Sequence, residues 1–163
     1  MEQLEYSAIQ IRGILQELFP HRRLVLSQFT FFNHSGVARP TGSTFRRGRR
    51  CYRLEDLLPI ACILALKEEG IPYKNVEEVP LLIQQNAERI FACGSGCRLS
   101  GCGDTVTLTF PGEETANPAL LHYLEEETPL MLFWGFDVGL LAEQLRAIAS
   151  RPAVGMPALL RAA

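Results

Sequence analysis

Helix-breaking residues divide the apolar pattern of this 163-residue chain into short segments. Pro20, Gly36, Gly70 and Gly94 each follow an apolar run with helical spacing. A proline cannot continue a helix past its first turn, and a glycine commonly ends one in a left-handed conformation. No apolar run approaches the ~18–20 residues that cross a bilayer, and the first residues lack a secretory signal. We therefore expect a soluble, cytoplasmic protein of short helices, with no membrane partner.

The spacing of apolar residues predicts several short elements along the chain. Helices are expected over residues 7–19, 27–35, 57–69, 80–91, 117–126 and 137–150, and strands over 105–110 and 130–134. Gly94-Ser95-Gly96 is expected to interrupt the chain as a loop. Between the second and third helices, residues 40–53 have the pattern of a β-hairpin with a basic tip. We expect Phe29, Phe31 and Phe32 of the second helix to be core anchors.

Charge is distributed very unevenly along the chain. The formal net charge is −2, with 16 basic and 18 acidic residues. Half of the basic residues, all arginine, lie between Glu17 and Glu55, where no acidic residue occurs. They are Arg22, Arg23, Arg39, Arg46, Arg47, Arg49, Arg50 and Arg53. Because guanidinium groups suit phosphate, this segment predicts binding to an anionic polymer, and we expect double-stranded DNA.

Two stretches resemble the MerR family of transcriptional regulators. Residues 29–40 (FTFFNHSGVARP) are similar to the end of that family's recognition helix, where a hydrophobic–Arg–Tyr–Tyr–Glu run is followed by Gly-Leu and then Pro. Residues 50–57 (RCYRLEDL) resemble the exit of the family's wing, and residues 60–79 resemble the helix pair after it. In consistent order and spacing, the likeness spans about residues 6–80.

The resemblance implies an α+β protein with two units. Residues 1–92 would form a winged helix-turn-helix with a short trailing helix, and residues 93–163 a small α/β unit for dimerisation or effector binding. A homodimer would bind its operator with the second helix in the major groove and the wing on the adjacent backbone. The candidate DNA-binding residues are Arg22, Arg23, Ser27, Gln28, Thr30, Arg39, Arg46, Arg47, Arg49, Arg50 and Tyr52.

The chain also departs from the family pattern. Thr30, Phe31 and Phe32 stand where the family has an arginine and two tyrosines, and the candidate recognition helix carries no basic residue. No long dimerisation helix is predicted after residue 80. A second hypothesis is therefore a protein-interaction adaptor that keeps the fold and docks an acidic protein partner through the arginine segment. We find no motif for catalysis, so we do not expect an enzyme.

Five cysteines form an odd set, which argues against a disulfide framework in a reduced compartment. Cys93, Cys97 and Cys102 follow a C-x3-C-x4-C spacing among glycines. Thiolates on a glycine-rich loop can converge on one metal ion or an iron–sulfur cluster, which makes a metal or redox sensor a third hypothesis. The alternative is a set of ordinary reduced thiols without a cofactor, and we favour it because the spacing matches no standard ligand pattern.

Overall fold

The computed structural model describes residues 4–42, 50–72, 76–103, 105–113 and 133–151. Within these residues the predicted mixture of helices and strands is confirmed. The helices are α1 (Ala8–Leu18), α2 (Leu26–His34), α3 (Leu54–Glu68), α4 (Val79–Cys93) and α5 (Val138–Ala149). The strands are β1 (Arg98–Cys102), β2 (Thr105–Thr109) and β3 (Phe133–Asp137).

Helix α3 lies at the centre of the molecule. Its apolar residues occur on every face, which is typical of a helix buried on all sides rather than of a surface helix. The buried side chains include Leu57, Leu58, Ile60, Ile63 and Leu66. The helix packs against both α4 and α5. Residues 40–53, which we call the hairpin segment, end directly before α3. The helix therefore connects this segment to the core.

Helix α5, the last described helix, packs against the first, α1. It also packs against α3, α4 and β1, and its buried side chains Val138, Leu141 and Leu145 belong to one core with residues of α1 and α3. The predicted domain boundary between residues 92 and 93 falls at the end of α4, and this core extends across it. Division into two domains stays a prediction.

The three strands form an antiparallel sheet in the order β2-β1-β3. The central strand β1 was not predicted, and it begins shortly after the loop that was expected at Gly94-Ser95-Gly96. Gly101 pairs with Trp134 across β1 and β3, and a Cβ at Gly101 would lie 2.4 Å from the indole ring. A glycine in this strand leaves room for the tryptophan to pack over the sheet.

The remaining predicted elements agree with the structure to different degrees. The first four helices and the last one occur within a few residues of their predicted bounds. The strand expected over residues 130–134 is found as Phe133–Asp137, and residues 130–132 lie outside the described residues. The helix predicted over 117–126 and the tail from residue 152 also lie outside them. Among the described helices, none combines the length and apolar character that a membrane span requires.

Candidate nucleic-acid interface

The first candidate interface element is the pair of helices α1 and α2. Their connection is held by Gln16 on α1, whose amide nitrogen donates to the carbonyls of Phe19, at 3.2 Å, and of Arg22. The amide oxygen of Gln16 accepts from the N–H of Leu24 at 3.1 Å. One side chain therefore satisfies three backbone groups of the turn, which fixes where α2 begins relative to α1. Nothing in the sequence pattern identified Gln16.

Helix α2 packs by one face and leaves the other in solvent. Phe29 and Phe32 are buried and meet edge to face, with ring centroids 6.0 Å apart. Phe31 is 62% exposed, so the expectation that it is a core anchor is wrong. The reason is helical geometry: residue 31 lies about 200° around the helix axis from residue 29, on the opposite face.

The exposed side of α2, which we call the outer face, consists of Ser27, Thr30, Phe31 and His34, all of which are exposed. Their spacing of three and four residues places them next to one another along one side of the helix. Two predicted base-contacting residues, Ser27 and Thr30, are therefore brought together in solvent. The third, Gln28, is half-buried, and its oxygen accepts from the N–H of Val25 at 3.0 Å, which caps the start of α2.

The hairpin segment is described at its two ends. The N–H of Gly42 donates to the carbonyl of Cys51 at 3.1 Å, and Tyr52 pairs with Tyr6 through backbone hydrogen bonds of 2.8 and 2.9 Å. Residues 43–49, which include Arg46, Arg47 and Arg49, lie outside the described residues. Because Gly42 and Cys51 are hydrogen-bonded to each other, the two ends of this segment lie side by side. We call residues 41–42 and 51–53 the hairpin base.

A buried carboxylate anchors the hairpin base to the core. Asp56, which is 2% exposed, accepts from the N–H and hydroxyl of Thr41 at 2.9 and 3.0 Å. It also accepts from the N–H of Arg53 at 2.8 Å, which caps the start of α3. The two arms of the hairpin segment thus share one acceptor. A buried carboxylate is stable when hydrogen bonds replace its water shell, and sequence reasoning gave Asp56 no such role.

Tyr52 was predicted to contact DNA, but only 4% of its surface is exposed. Its hydroxyl accepts from the side-chain N–H of Asn33 at 2.7 Å. Tyr52 therefore joins the hairpin base to α2. We assign it to the support of the interface rather than to the interface itself.

The predicted arginines occupy different environments. Arg23, Arg39 and Arg50 are exposed. Arg22 is half-buried, with its Nε 3.2 Å from a carboxylate oxygen of Glu68 on α3. Arg53 is half-buried as well. Of the described arginines in this segment, Arg23, Arg39 and Arg50 are therefore the ones most open to solvent.

Two carboxylates, those of Glu5 and Glu55, lie near the hairpin base. Burial raises the pKa of Cys51, and the charge of Glu5 raises it further. Burial likewise raises the pKa of Tyr6, with a further contribution from Glu55. The hairpin base therefore has negative charges beside it, whereas α2 itself contains no acidic residue.

The cysteines that were candidates for a metal site do not converge. Cys97 directly precedes β1 and Cys102 is its last residue; both are buried, and five residues of extended chain separate them by about 16 Å. Burial raises the pKa of Cys97 to about 12, with a smaller effect of Cys93, so this thiol stays protonated at neutral pH. In the described part of the chain, no three His, Cys, Asp or Glu side chains are grouped so as to hold a metal ion. A metal site at Cys93, Cys97 and Cys102 stays a prediction that this geometry does not favour.

The glycines beside these cysteines form a structured turn against α5. The N–H of Ser95 donates to Glu143 at 2.9 Å, and the N–H of Gly96 donates to Asp137 at 2.8 Å. The carbonyl of Cys97 accepts from Val138 at 2.9 Å. We call residues 94–97 the glycine turn. Its backbone is held by α5 and by Asp137, the residue directly before that helix.

No protein-family model matches the chain, and no curated protein matches it.

Proposed function

We propose that this chain is a cytoplasmic, DNA-binding transcriptional regulator of the winged helix-turn-helix type, related to the MerR regulators. In this proposal α2 enters the major groove, and the arginines of the hairpin segment hold phosphates on the adjacent backbone. The observation that carries it is the position of α2. The helix is packed by Phe29 and Phe32, leaves its outer face exposed and is joined to the hairpin base through Asn33 and Tyr52.

The fixed turn before α2 supports groove binding. A helix that reads DNA must be held at a defined angle by its partner helix, since its side chains reach base edges only from one position. Gln16 satisfies three backbone groups of the connection from α1 to α2. The outer face then offers hydroxyls from Ser27 and Thr30 near the start of α2, which is the end from which recognition helices contact bases.

The hairpin base supports phosphate binding by the residues that it encloses. Arg46, Arg47 and Arg49 lie in sequence between Gly42 and Cys51, whose backbones are hydrogen-bonded to each other. Asp56 fixes both arms to the start of α3. An arginine loop held at its base loses less conformational entropy on binding than a free one, and each neutralised phosphate makes the affinity depend more strongly on salt.

The test is a fluorescence titration of a short labelled duplex over a series of salt concentrations. The wild-type chain should bind, and the double variant R47A/R49A should bind more weakly to every sequence. Its log–log salt slope should be smaller by about 2, because two phosphate contacts are lost. The matched control is R98A/R151A, which removes two exposed arginines outside the segment and should leave the slope unchanged. An unchanged slope in R47A/R49A would refute the assignment of the hairpin.

A homodimer is part of the proposal, because two copies of α2 would read two half-sites of an operator. Helix α4 ends at Cys93 and is too short to form a long coiled coil. β2 is an edge strand of the described sheet, and Val106 and Leu108 on it are only partly buried. An edge strand presents backbone groups that can pair with a second chain. Sedimentation velocity over a range of protein concentrations would measure this association.

A second candidate is a protein-interaction adaptor with the same fold. It is favoured by exposed apolar side chains at α2, namely Val25, Leu26 and Phe31, since apolar groups beside arginines suit a protein surface that is partly acidic. The same titration separates the two functions. An adaptor should bind no duplex near physiological salt, whereas a regulator should.

A further inference from the structure

The side chain of Phe31 stands out on the outer face of α2. It is 62% exposed, and its ring meets that of Phe32 edge to face with centroids 6.1 Å apart. Ser27, Thr30 and His34 surround it on the same face. A large apolar side chain at the centre of an otherwise polar helix face is typical of a contact surface.

The chemistry of α2 limits how it could read a base pair. The helix contains no lysine or arginine, so the bidentate contact to guanine that is commonest in the major groove is absent. Its two amide side chains, the usual readers of adenine, each make a hydrogen bond within the protein: the oxygen of Gln28 accepts from the N–H of Val25, and the nitrogen of Asn33 donates to the hydroxyl of Tyr52. What the outer face offers beyond hydroxyls and an imidazole is the ring of Phe31.

In the major groove the C5-methyl group of thymine is the apolar feature that a base presents, and a phenylalanine ring can contact it. We infer that Phe31 contacts thymine methyl groups in the major groove, which gives this chain a preference for sites containing A·T pairs. The inference rests on the proposed function, and it names the base chemistry that the outer face of α2 recognises.

The surroundings of α2 favour duplex DNA as the occupant of this face. Arg23 lies before the helix and Arg39 after it, both are exposed, and the helix itself has no carboxylate that would repel phosphate. Positive charge at both ends of a neutral face matches a groove, in which two phosphate backbones flank the uncharged base edges. A wholly apolar partner would offer no negative charge to Arg23 and Arg39.

The test compares two short labelled duplexes, one of alternating dA and dT and one of alternating dA and dU, which differ in the thymine methyl group. The wild-type chain should bind the dT duplex more tightly, by about fourfold for each methyl group that the ring covers. Phe31→Ala should bind both duplexes equally, at about the wild-type affinity for the dU duplex. Phe31→Leu, which keeps an apolar side chain, should keep part of the preference.

The matched control is Leu81→Ala on α4, where an apolar side chain is 56% exposed. It should keep the full preference for dT. Equal binding of both duplexes by the wild-type chain would overturn the inference and leave DNA binding intact. A preference that persists in Phe31→Ala would also overturn it, since duplex shape would then be its source. If neither duplex binds even at low salt, the proposed function fails, and the inference fails with it.

Discussion

Two segments of this sequence suggested a bound ligand: the arginine-rich residues 22–53 and the cysteine- and glycine-rich residues 93–103. They differ in how far their side chains are buried. Among the described arginines of the basic segment, Arg23, Arg39 and Arg50 are exposed. Around residues 93–103 the fold buries Cys97 and Cys102, and the glycine turn is held by Asp137 and Glu143. A cluster of special residue types can bind a partner only where the fold leaves its side chains without internal partners. The first cluster meets that condition more fully than the second.

The largest effect is expected where α5 meets the glycine turn. A Cβ at Gly139 would lie 1.7 Å from the carbonyl oxygen of Gly94, and backbone cannot move aside as a side-chain tip can. Gly139→Ala should lower the free energy of unfolding by about 3 kcal/mol or more. Chemical denaturation measures this change.

The matched control for that substitution is Gly13→Ala in the exposed part of α1. A Cβ there meets nothing within 4 Å. Because alanine has a higher helix propensity than glycine, Gly13→Ala should raise the free energy of unfolding by about 0.5–1 kcal/mol. If Gly139→Ala proves as stable as the wild-type chain, the tight contact between α5 and the glycine turn does not exist in solution.

A smaller effect is expected at the hairpin base. Asp56→Ala removes the shared acceptor of Thr41 and Arg53, and with it three hydrogen bonds to a charged group, so it should lower the free energy of unfolding by about 2–3 kcal/mol. It should also weaken duplex binding, because the arginine loop loses its anchor. Glu55→Ala, in the same helical turn, should cost about 0.3–1 kcal/mol through the helix dipole alone. Equal losses for the two variants would contradict the role given to Asp56.

The sequence predicted the described helices, but it did not predict the strand β1 or the exposure of Phe31. Helical periodicity located α1 to α5 because Pro20, Gly70 and Gly94 limit them. The strand β1 escaped notice because glycine is depleted in strands, and the reason for Gly101 is seen only once Trp134 lies above it. Phe31 was assigned to the core on composition, whereas its position relative to Phe29 and Phe32 determines its exposure.

The supporting residues of the candidate interface were hidden for a different reason. Gln16, Asp56 and Tyr52 act through partners that are distant in sequence or belong to a turn. Their identities alone are common among surface residues. Only the folded arrangement shows which backbone groups they satisfy.

The smallest effect concerns the thiols, and it tests whether the second cluster is closed to ligands. At pH 8 an alkylating reagent should react quickly with one thiol, that of the exposed Cys93. Burial raises the pKa of Cys97 to about 12, and it also raises the pKa of Cys62. Because the thiolate is the nucleophile, these two should react only after unfolding.

Cys93→Ser should remove the fast phase, and denaturant should expose the remaining thiols. Two or more fast thiols in the folded protein would contradict the burial of this cluster. The raised pKa of Cys97 also has a consequence for stability. The folded state should lose stability as pH rises from about 9, where the unfolded thiol ionises, towards 12, where the folded one does.

The central claim is that the outer face of α2 and the arginines next to it form the surface that meets DNA. Amide NMR shifts recorded while a duplex is added test it most directly, since each backbone N–H reports separately. We predict that the largest shifts fall within residues 23–53, with α2 foremost, and that residues 143–149 of α5 stay unchanged. Shifts that concentrate in α5, or none anywhere at low salt, would contradict the account.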